Sequence, residues 1–461
     1  MQATVATQLI DGFDGEISTP GDPAYDERRR IFNGMIDRRP ALIARCTSTG
    51  DVAAAVRYAR GRALPIAVHG GGHGVPGHAV CDGGVMIDLR GMKRIKIDAG
   101  ARRVHAQAGL TWGELDAATQ GYGLAVTGGR MSTTGVAGFT LGSGSGWLER
   151  KLGLAADNLR SAEVVLADGS IVHASEREHP DLFWALRGGG GNFGIVTSFE
   201  FALHPVGPVL LGGMLMHPGP RASEVLAFFA EYMADAPDEV GAAVALVTAP
   251  SAPFVPEHAR GKPAVGIIVC YAGSVEEGER VLQPLRSFGP PPLDMVGPMP
   301  YTEVQKLIDA QAPTGLRNYW GGDFLPSLSA GAIEALCAAH VSAPSPLSQI
   351  IVVPGGGQLG RVSEDAMALG HRDAAFNTHL IAMWEDPDDD ERNIAWLRGL
   401  QDACRPHTDG GAFLNFVGDP HEDRVRRALG DAKYERLVQI KDAYDPDNVF
   451  RLNHNVRPSA G

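Results

Sequence analysis

The run His69-Gly70-Gly71-Gly72-His73-Gly74 follows a short β-type stretch at 66–68. Three successive glycines after a strand let consecutive backbone N–H groups turn toward one anion, so the run reads as a phosphate cradle that needs no lysine. It is not the dinucleotide fingerprint G-x-G-x-x-G, which opens a helix; no helical pattern follows here. Other readings stay open on these residues alone: a plain flexible loop, an esterase oxyanion hole and a metal site. The esterase reading needs a G-x-S-x-G elbow, and Gly142-Ser143-Gly144-Ser145-Gly146 carries its serines out of register. A metal would draw on His69, His73 and His78 at irregular spacing, with Asp82 the one carboxylate of the loop.

Two more glycine clusters follow. One runs Thr133-Thr134-Gly135-Val136-Ala137-Gly138-Phe139-Thr140-Leu141-Gly142 and on through Gly146 to Asn158. The other is Leu186-Arg187-Gly188-Gly189-Gly190-Gly191-Asn192-Phe193-Gly194-Ile195-Val196. The chain holds 59 glycines in 461 residues, well above an ordinary usage of about 7%. Clustered in this way, they point to one long cofactor lying across several loops.

Around the clusters the patterning alternates. Ser48 or Thr49 caps a helical pattern running to Arg60, with Val52, Ala55, Val56 and Ala59 on one face. Strands are expected at 41–46, 85–89, 95–97, 104–108, 162–167, 171–174 and 195–203, with Asp168-Gly169 as a hairpin turn. Helical patterns are expected at 112–119 and 181–186. After Pro208 longer helices appear, at 222–234, 275–287, 330–343 and 391–403. They alternate with strand-like runs at 244–247, 265–271, 349–353 and 378–383, which suggests an antiparallel sheet backed by helices. A last helix is expected over about 423–444, ending at Asp445-Pro446.

A formal net charge of −13 argues against a nucleic-acid groove or an anionic membrane surface as the main partner. Five cysteines, at 46, 81, 270, 337 and 404, form no C-x-x-C and read as reduced cytosolic thiols or core fillers. The N-terminal stretch lacks a basic and then apolar leader, and no run of 18 apolar residues occurs, so a cytoplasmic protein without a membrane span is expected.

Several motifs together resemble the berberine-bridge-enzyme-like branch of the vanillyl-alcohol-oxidase/p-cresol-methylhydroxylase (PCMH) superfamily. They are Arg39-Pro40-Ala41-Leu42-Ile43, the GGGH at 70–73, Val85-Met86-Ile87-Asp88-Leu89, the TGVAGFTLG at 134–142, the GWLERKLGLAADNL at 146–159, the DLFWALRGGGGNFGIVTSFEF at 181–201 and the closing run from Tyr444 to Asn453-His454-Asn455. The resemblance implies an α+β, two-domain flavoprotein. A PCMH-type FAD-binding domain would take residues 1–206 and 412–461, and an antiparallel-sheet substrate domain backed by helices would take 207–411. It also implies a covalent bond from His73 to the flavin 8α-methyl group. The FAD would be lined by His69, Gly70, Gly71, Gly72, Gly74, His78, Met131, Thr134, Gly135, Gly138, Gly142, Gly146, Asn158, Gly194, Ile195, Val196, Asn453 and Asn455. Many relatives add a cysteinyl link four residues before the glycine that is Gly135 here. Met131 stands at that place and cannot form it, so a single covalent link is expected.

Relatives that oxidise alcohols place a tyrosine beside the asparagine of a Y-x-N-Y-like strand. The matching segment, Ala412-Phe413-Leu414-Asn415-Phe416, offers Asn415 but no phenol. Candidate bases elsewhere are Tyr319, Asp323, His379 and Glu385. Trp320, Trp384, Tyr319 and Phe376 are candidate pocket walls. An amine can give up a hydride without a side-chain base, which favours an amine, alkaloid-like or lipophilic aromatic substrate. The expected activity is an oxidase passing a hydride to FAD and then to O2, in a monomer or homodimer, with no metal. The alternatives are an alcohol or sugar oxidase of the same family, or a flavin-binding protein without oxidase activity.

Overall fold

The computed structural model describes residues 9–289, 291–418 and 422–460. The expectation of no leader rests partly on residues 1–8, which lie outside this range. A four-stranded sheet opens the fold, in the order Glu16–Ser18, Leu42–Arg45, Val85–Asp88, Ile66–His69. Its last three strands are parallel. The crossover between Leu42–Arg45 and Ile66–His69 is the helix Thr49–Arg60, started by a capping box. Ser48 Oγ accepts from Asp51 N at 3.1 Å, and the Asp51 carboxylate accepts from Ser48 N at 3.0 Å. Val52, Ala55, Val56 and Ala59 are fully buried on its inner face. The loop that starts at Gly70 therefore leaves the carboxyl end of a parallel strand, the usual place for ligands in such sheets.

A second, antiparallel sheet has the order Ile95–Asp98, Arg103–Gln107, Ile195–Ala202, Leu159–Val165, Ile171–Ser175. The turn joining its last two strands puts Gly169 at φ +80°, where a side chain would be strained.

The third sheet is the largest, with nine strands. Its main path runs Leu293–Asp294, Val209–Pro218, Pro263–Tyr271, Val240–Thr248, Gln349–Pro354, Phe376–Trp384, Arg317–Gly321, with every neighbour antiparallel. Alternation divides its side chains between two faces. Val244, Leu246, Ile267, Val269, Leu380 and Trp384 pack under the helices Ala222–Asp235, Ala330–Val341 and Asp390–Cys404. The opposite face, with Ala243, Ala245, Ile268, Ile351, Val353 and Ile381, meets the loops of the first half of the chain. The approach is close: a Cβ on Gly241 would lie 2.0 Å from the Trp147 carbonyl oxygen. Burying each large aliphatic chain on these faces is worth roughly 1.5–3 kcal/mol, so both faces hold the sheet in place.

The structure departs from the sequence reading in several places. The helix expected over 423–444 breaks at Gly430, φ +83°, into Glu422–Leu429 and Asp431–Tyr444. The 412–416 segment is no strand; it makes a 3-10 turn at Leu414–Phe416. The strands Val209–Pro218 and Arg317–Gly321 carry weak sequence signals, the first because Gly212 and Gly213 interrupt its apolar run. Among the described residues no helix is long and apolar enough to cross a membrane.

Candidate active site

Two glycine loops meet edge to edge. A Cβ on Gly71 would lie 2.5 Å from both Cα and N of Gly135, and one on Gly135 would lie 2.6 Å from Gly71 N. Gly70 rests on Ala137, and a Cβ on Gly72 would strike the His69 ring, 2.7 Å from Nε2. Only glycine permits this seam, which explains the residue type at 71 and 135 better than flexibility does. Thr134 joins it through its carbonyl oxygen, which accepts from Trp112 N at 2.9 Å.

His73 projects from the loop with its ring stacked on Phe32, centroids 4.7 Å apart. Its Nε2 lies 3.1 Å from Thr133 Oγ1. Burial lowers the His73 pKa to about 4, although Asp309 opposes the shift. Asp309 is itself held by the Ser132 backbone N–H at 2.8 Å and the Ser132 hydroxyl at 2.5 Å. Burial likewise lowers His69 and His78 to about 3. Desolvation disfavours the imidazolium, so all three rings are neutral at pH 7 and each keeps a lone pair. The His78 ring meets His454 edge-on at 5.5 Å.

Seven buried polar atoms on connected loops lack a partner within the protein. They are His69 Nδ1, His78 Nε2, Thr140 Oγ1, Ser143 Oγ, and the Oδ1 atoms of Asn415, Asn453 and Asn455. Contacts tie their segments together. Asn415 Nδ2 donates to the carbonyls of Gly138 and Phe139, at 3.3 and 3.4 Å, and its amide covers Gly142. Asn453 Nδ2 donates to Gly191 O at 3.2 Å, and Asn192 Nδ2 to His454 O at 3.1 Å. Lys441, fully buried, holds the tail against the third glycine cluster by donating to Asn192 O, Asp445 Oδ2 and Phe450 O at 2.8, 2.6 and 3.0 Å. Leaving one buried polar group unpaired costs roughly 1–3 kcal/mol, so such a concentration fits an elongated polar ligand. Gly74, Gly138 and Gly191 have open space beside their Cα atoms, room for that ligand to approach the backbone.

Other sequence candidates have structural tasks. Gly146 is packed against the Gly128 carbonyl, and Gly194 against Val164. Ile195 and Val196 are buried in their strand. Asn158 spends its side chain inside the protein: Nδ2 donates to the carbonyls of Leu152 and Leu154, and Oδ1 lies 2.6 Å from His204 Nε2. Met131 packs against the apolar face of the large sheet.

That face forms a roof over the loops. A train of rings crosses it: Phe32 meets Trp320 edge-on at 5.8 Å, Trp320 stacks with Phe416 at 6.0 Å, and Phe416 stacks with His379 at 3.6 Å. Phe32 had no distinguishing signal in the sequence. The roof also meets a buried ion pair, Arg130–Glu149 at 3.1 Å, whose guanidinium lies 5.0 Å from the Trp147 ring.

Strand parity corrects three aromatic assignments. Tyr319 lies one residue from Trp320 and so faces the helices, where its hydroxyl accepts from Arg398 Nε at 3.4 Å. Trp384 and Phe376 share that helix-covered face, and the Trp384 indole N–H bonds Asp390. None of the three walls the roof. Glu385 is exposed. Asp323 is paired with Arg424 at 2.8 Å in a cleft of about 320 Å³ at the sheet edge; burial raises its pKa to about 6. His379 alone of the four candidate bases sits on the roof. Among the described residues no three His, Cys, Asp or Glu side chains converge to hold a metal ion.

Glycine loops, the first leaving the carboxyl end of a parallel strand, unpaired polar atoms along them and an apolar sheet above fit a class of protein that holds one elongated polar cofactor. Comparisons agree. Residues 40–175 match the FAD binding domain family, and residues 412–457 the berberine and berberine-like family. The (R)-6-hydroxynicotine oxidase of Paenarthrobacter nicotinovorans is 32% identical, with 99% of each chain covered. An FAD-linked oxidoreductase of Dictyostelium discoideum is 30% identical over 98% of each chain. The crystal structure of 6-hydroxy-D-nicotine oxidase from Arthrobacter nicotinovorans superimposes with a TM-score of 0.87 at 30% identity, covering 97% of this chain and 98% of that one. A berberine-bridge-enzyme-like protein of Physcomitrella patens shares the fold at a TM-score of 0.87 and 22% identity. The chain belongs to the berberine-like family of FAD-linked oxidoreductases and is an FAD-dependent oxidase by family.

Proposed function

We propose that this protein is an oxidase whose FAD is bonded covalently to His73, and that it oxidises a small lipophilic amine or aromatic metabolite while O2 is reduced to hydrogen peroxide. The observation that carries this reading is the set of unpaired buried polar atoms on the glycine loops and the closing tail, together with a His73 ring stacked on Phe32. FAD, when bound, supplies the two-electron acceptor chemistry that no side chain has. The residues around it hold and orient. Thr133 engages His73 Nε2, which leaves Nδ1 as the nitrogen for the link. Met131 offers no thiol, so the link is single. His69, His78, Thr140, Ser143 and the asparagines at 415, 453 and 455 supply hydrogen-bonding atoms that the protein itself leaves unmatched.

The amine preference follows from the roof. Asn415 has phenylalanines at 413 and 416, and the strand tyrosines of the large sheet, Tyr271 and Tyr319, pack on its helix-covered face. An amine loses hydride from its α-carbon with the nitrogen lone pair stabilising the product, and no side chain has to remove an O–H proton first. The relative that acts on 6-hydroxynicotine makes that compound a sensible first probe. The division into a cofactor part, 1–206 with 412–461, and a substrate part, 207–411, goes with this reading. The large sheet runs from Val209 to Trp384, and its open face covers the loops.

Racemic 6-hydroxynicotine and a panel of benzylic amines and alcohols, added under argon, should test it. Amines are expected to bleach the yellow absorbance, and air should restore it with one peroxide per turnover. Bleaching by alcohols alone would reverse the substrate assignment. Turnover without peroxide would remove the oxidase assignment.

A further inference from the structure

The face of the large sheet above the glycine loops is apolar on strand after strand: Ala243 and Ala245, Ile268, Ile351 and Val353. The strand Phe376–Trp384 breaks the pattern. On the same face as its Ile381 it carries Asn377 and His379, only 3% and 4% exposed. Register confirms the placement, since Asn377 pairs across with Val353 and His379 with Ile351. Residues two apart on a strand lie about 7 Å from one another on one face, so the two form a single polar spot.

Both side chains are left partly unmatched. Asn377 Nδ2 donates weakly to Val353 O at 3.4 Å, while its Oδ1 has no partner; His379 Nε2 has none either. Phe416 fixes the plane of the His379 ring from 3.6 Å, and the Phe416 and Trp320 rings run nearly parallel, 16° apart. A flat ring fits such a wall better than a bulky aliphatic chain does.

The charges nearby are already committed. Glu149 accepts from Arg130 and from Gly146 N, and Asp309 accepts from Ser132. Arg130 is close enough to oppose a positive charge on His379, and burial opposes it more strongly. Glu149 and Asp309 therefore offer no free carboxylate to a cation at this spot. Burying an unpaired ammonium there would be costly.

We infer that His379, assisted by Asn377, determines substrate specificity by hydrogen-bonding a neutral polar group, such as a ring hydroxyl, on an uncharged flat aromatic molecule seated against Phe416. This inference rests on the proposed function and names the substrate class of that same site. The site admits the neutral form of an amine substrate and excludes its ammonium. An analogue lacking the ring hydroxyl leaves the histidine nitrogen buried and unpaired, which is where the selectivity arises.

The test uses flavin-loaded protein and p-cresol and toluene, which differ by one hydroxyl. Dissociation constants come from perturbation of the bound flavin spectrum, so no turnover is needed. Wild type should bind p-cresol at least about tenfold more tightly than toluene. His379→Phe keeps the ring stack and should reduce that preference to within about threefold, while His379→Gln, which keeps a hydrogen-bonding side chain, should retain most of it. Phenyltrimethylammonium should bind more weakly than toluene. Absence of a p-cresol preference in wild type, failure of either probe to bind, or an unchanged preference in His379→Phe would each overturn the inference. A yellow protein with no preference defeats this inference alone, whereas a protein that never carries flavin defeats the proposed function with it.

Discussion

Replacing Gly71 by alanine tests whether the two glycine loops form one rigid seam. The new Cβ would lie 2.5 Å from Cα and N of Gly135. Carbon atoms in contact settle near 3.5–4.0 Å, so the backbones must part by about 1 Å. No rotamer can relieve the clash, because both sides are main chain. Overpacking of this kind costs roughly 1–3 kcal/mol. An error of about 1 Å in the placement of reacting groups can itself lower a rate about a hundredfold. The assay is a pair of readings on one preparation: the thermal midpoint, and flavin per protein after acid precipitation. Gly71→Ala should lower both. Gly138→Ala is the counterpart, because no atom lies within 4 Å of its added Cβ. It sits in the helix Val136–Leu141, where alanine is favoured over glycine by about 1 kcal/mol. Its thermal midpoint should hold or rise while flavin incorporation falls, since the open side is where the cofactor would approach. Full flavin content in both variants, with unchanged midpoints, would refute the reasoning.

Acid should destabilise the protein through its neutral histidines. His69 and His78 have pKa values lowered from 6.5 to about 3 by burial, so the unfolded chain binds protons that the folded one does not. Stability is then complete above about pH 6.5 and declines from there toward pH 3, by about 2 kcal/mol per histidine at pH 5. Thermal midpoints across that range that stay flat would contradict the assignment. Lys441→Met leaves Asp445 buried without its cation and should cost about 3–5 kcal/mol, seen as a large fall in the unfolding midpoint together with flavin loss. Asn415→Ala removes the amide that covers Gly142 and bonds the carbonyls of Gly138 and Phe139; it should lower the flavin incorporated per protein with little change in fold stability, as read from the absorbance of acid-precipitated protein.

The close meeting of the two loops was legible in the sequence because glycine is informative where backbones meet. The residues at 71 and 135 are glycine for a steric reason, and their clustering announced a ligand spread over several loops. The capping box at Ser48 and the turn at Asp168-Gly169 were readable because local hydrogen bonding dictates them. What failed was whatever depends on parity or on distant partners. Tyr319 and Trp320 are adjacent, and only the register of Arg317–Gly321 against Phe376–Trp384 decides which one faces the loops. Phe32 lies in an unpatterned stretch, and nothing local indicates that it stacks on His73. Asn158, which the family resemblance implies as a cofactor contact, has its side chain in a protein hydrogen-bond network with His204, a distant partner that no local pattern reveals. His379 stood out as a titratable residue, but its neighbour Asn377 became visible only once the strand's two faces were distinguished.

The central claim is the bond between His73 and the flavin, and the most direct measurement is the absorbance of acid-precipitated protein before and after substitution. A yellow wild-type pellet with a colourless supernatant, and a colourless pellet from His73→Ala, is the result expected. A wild-type pellet that gives all its colour to the supernatant, or a His73→Ala pellet that stays yellow, would contradict the account.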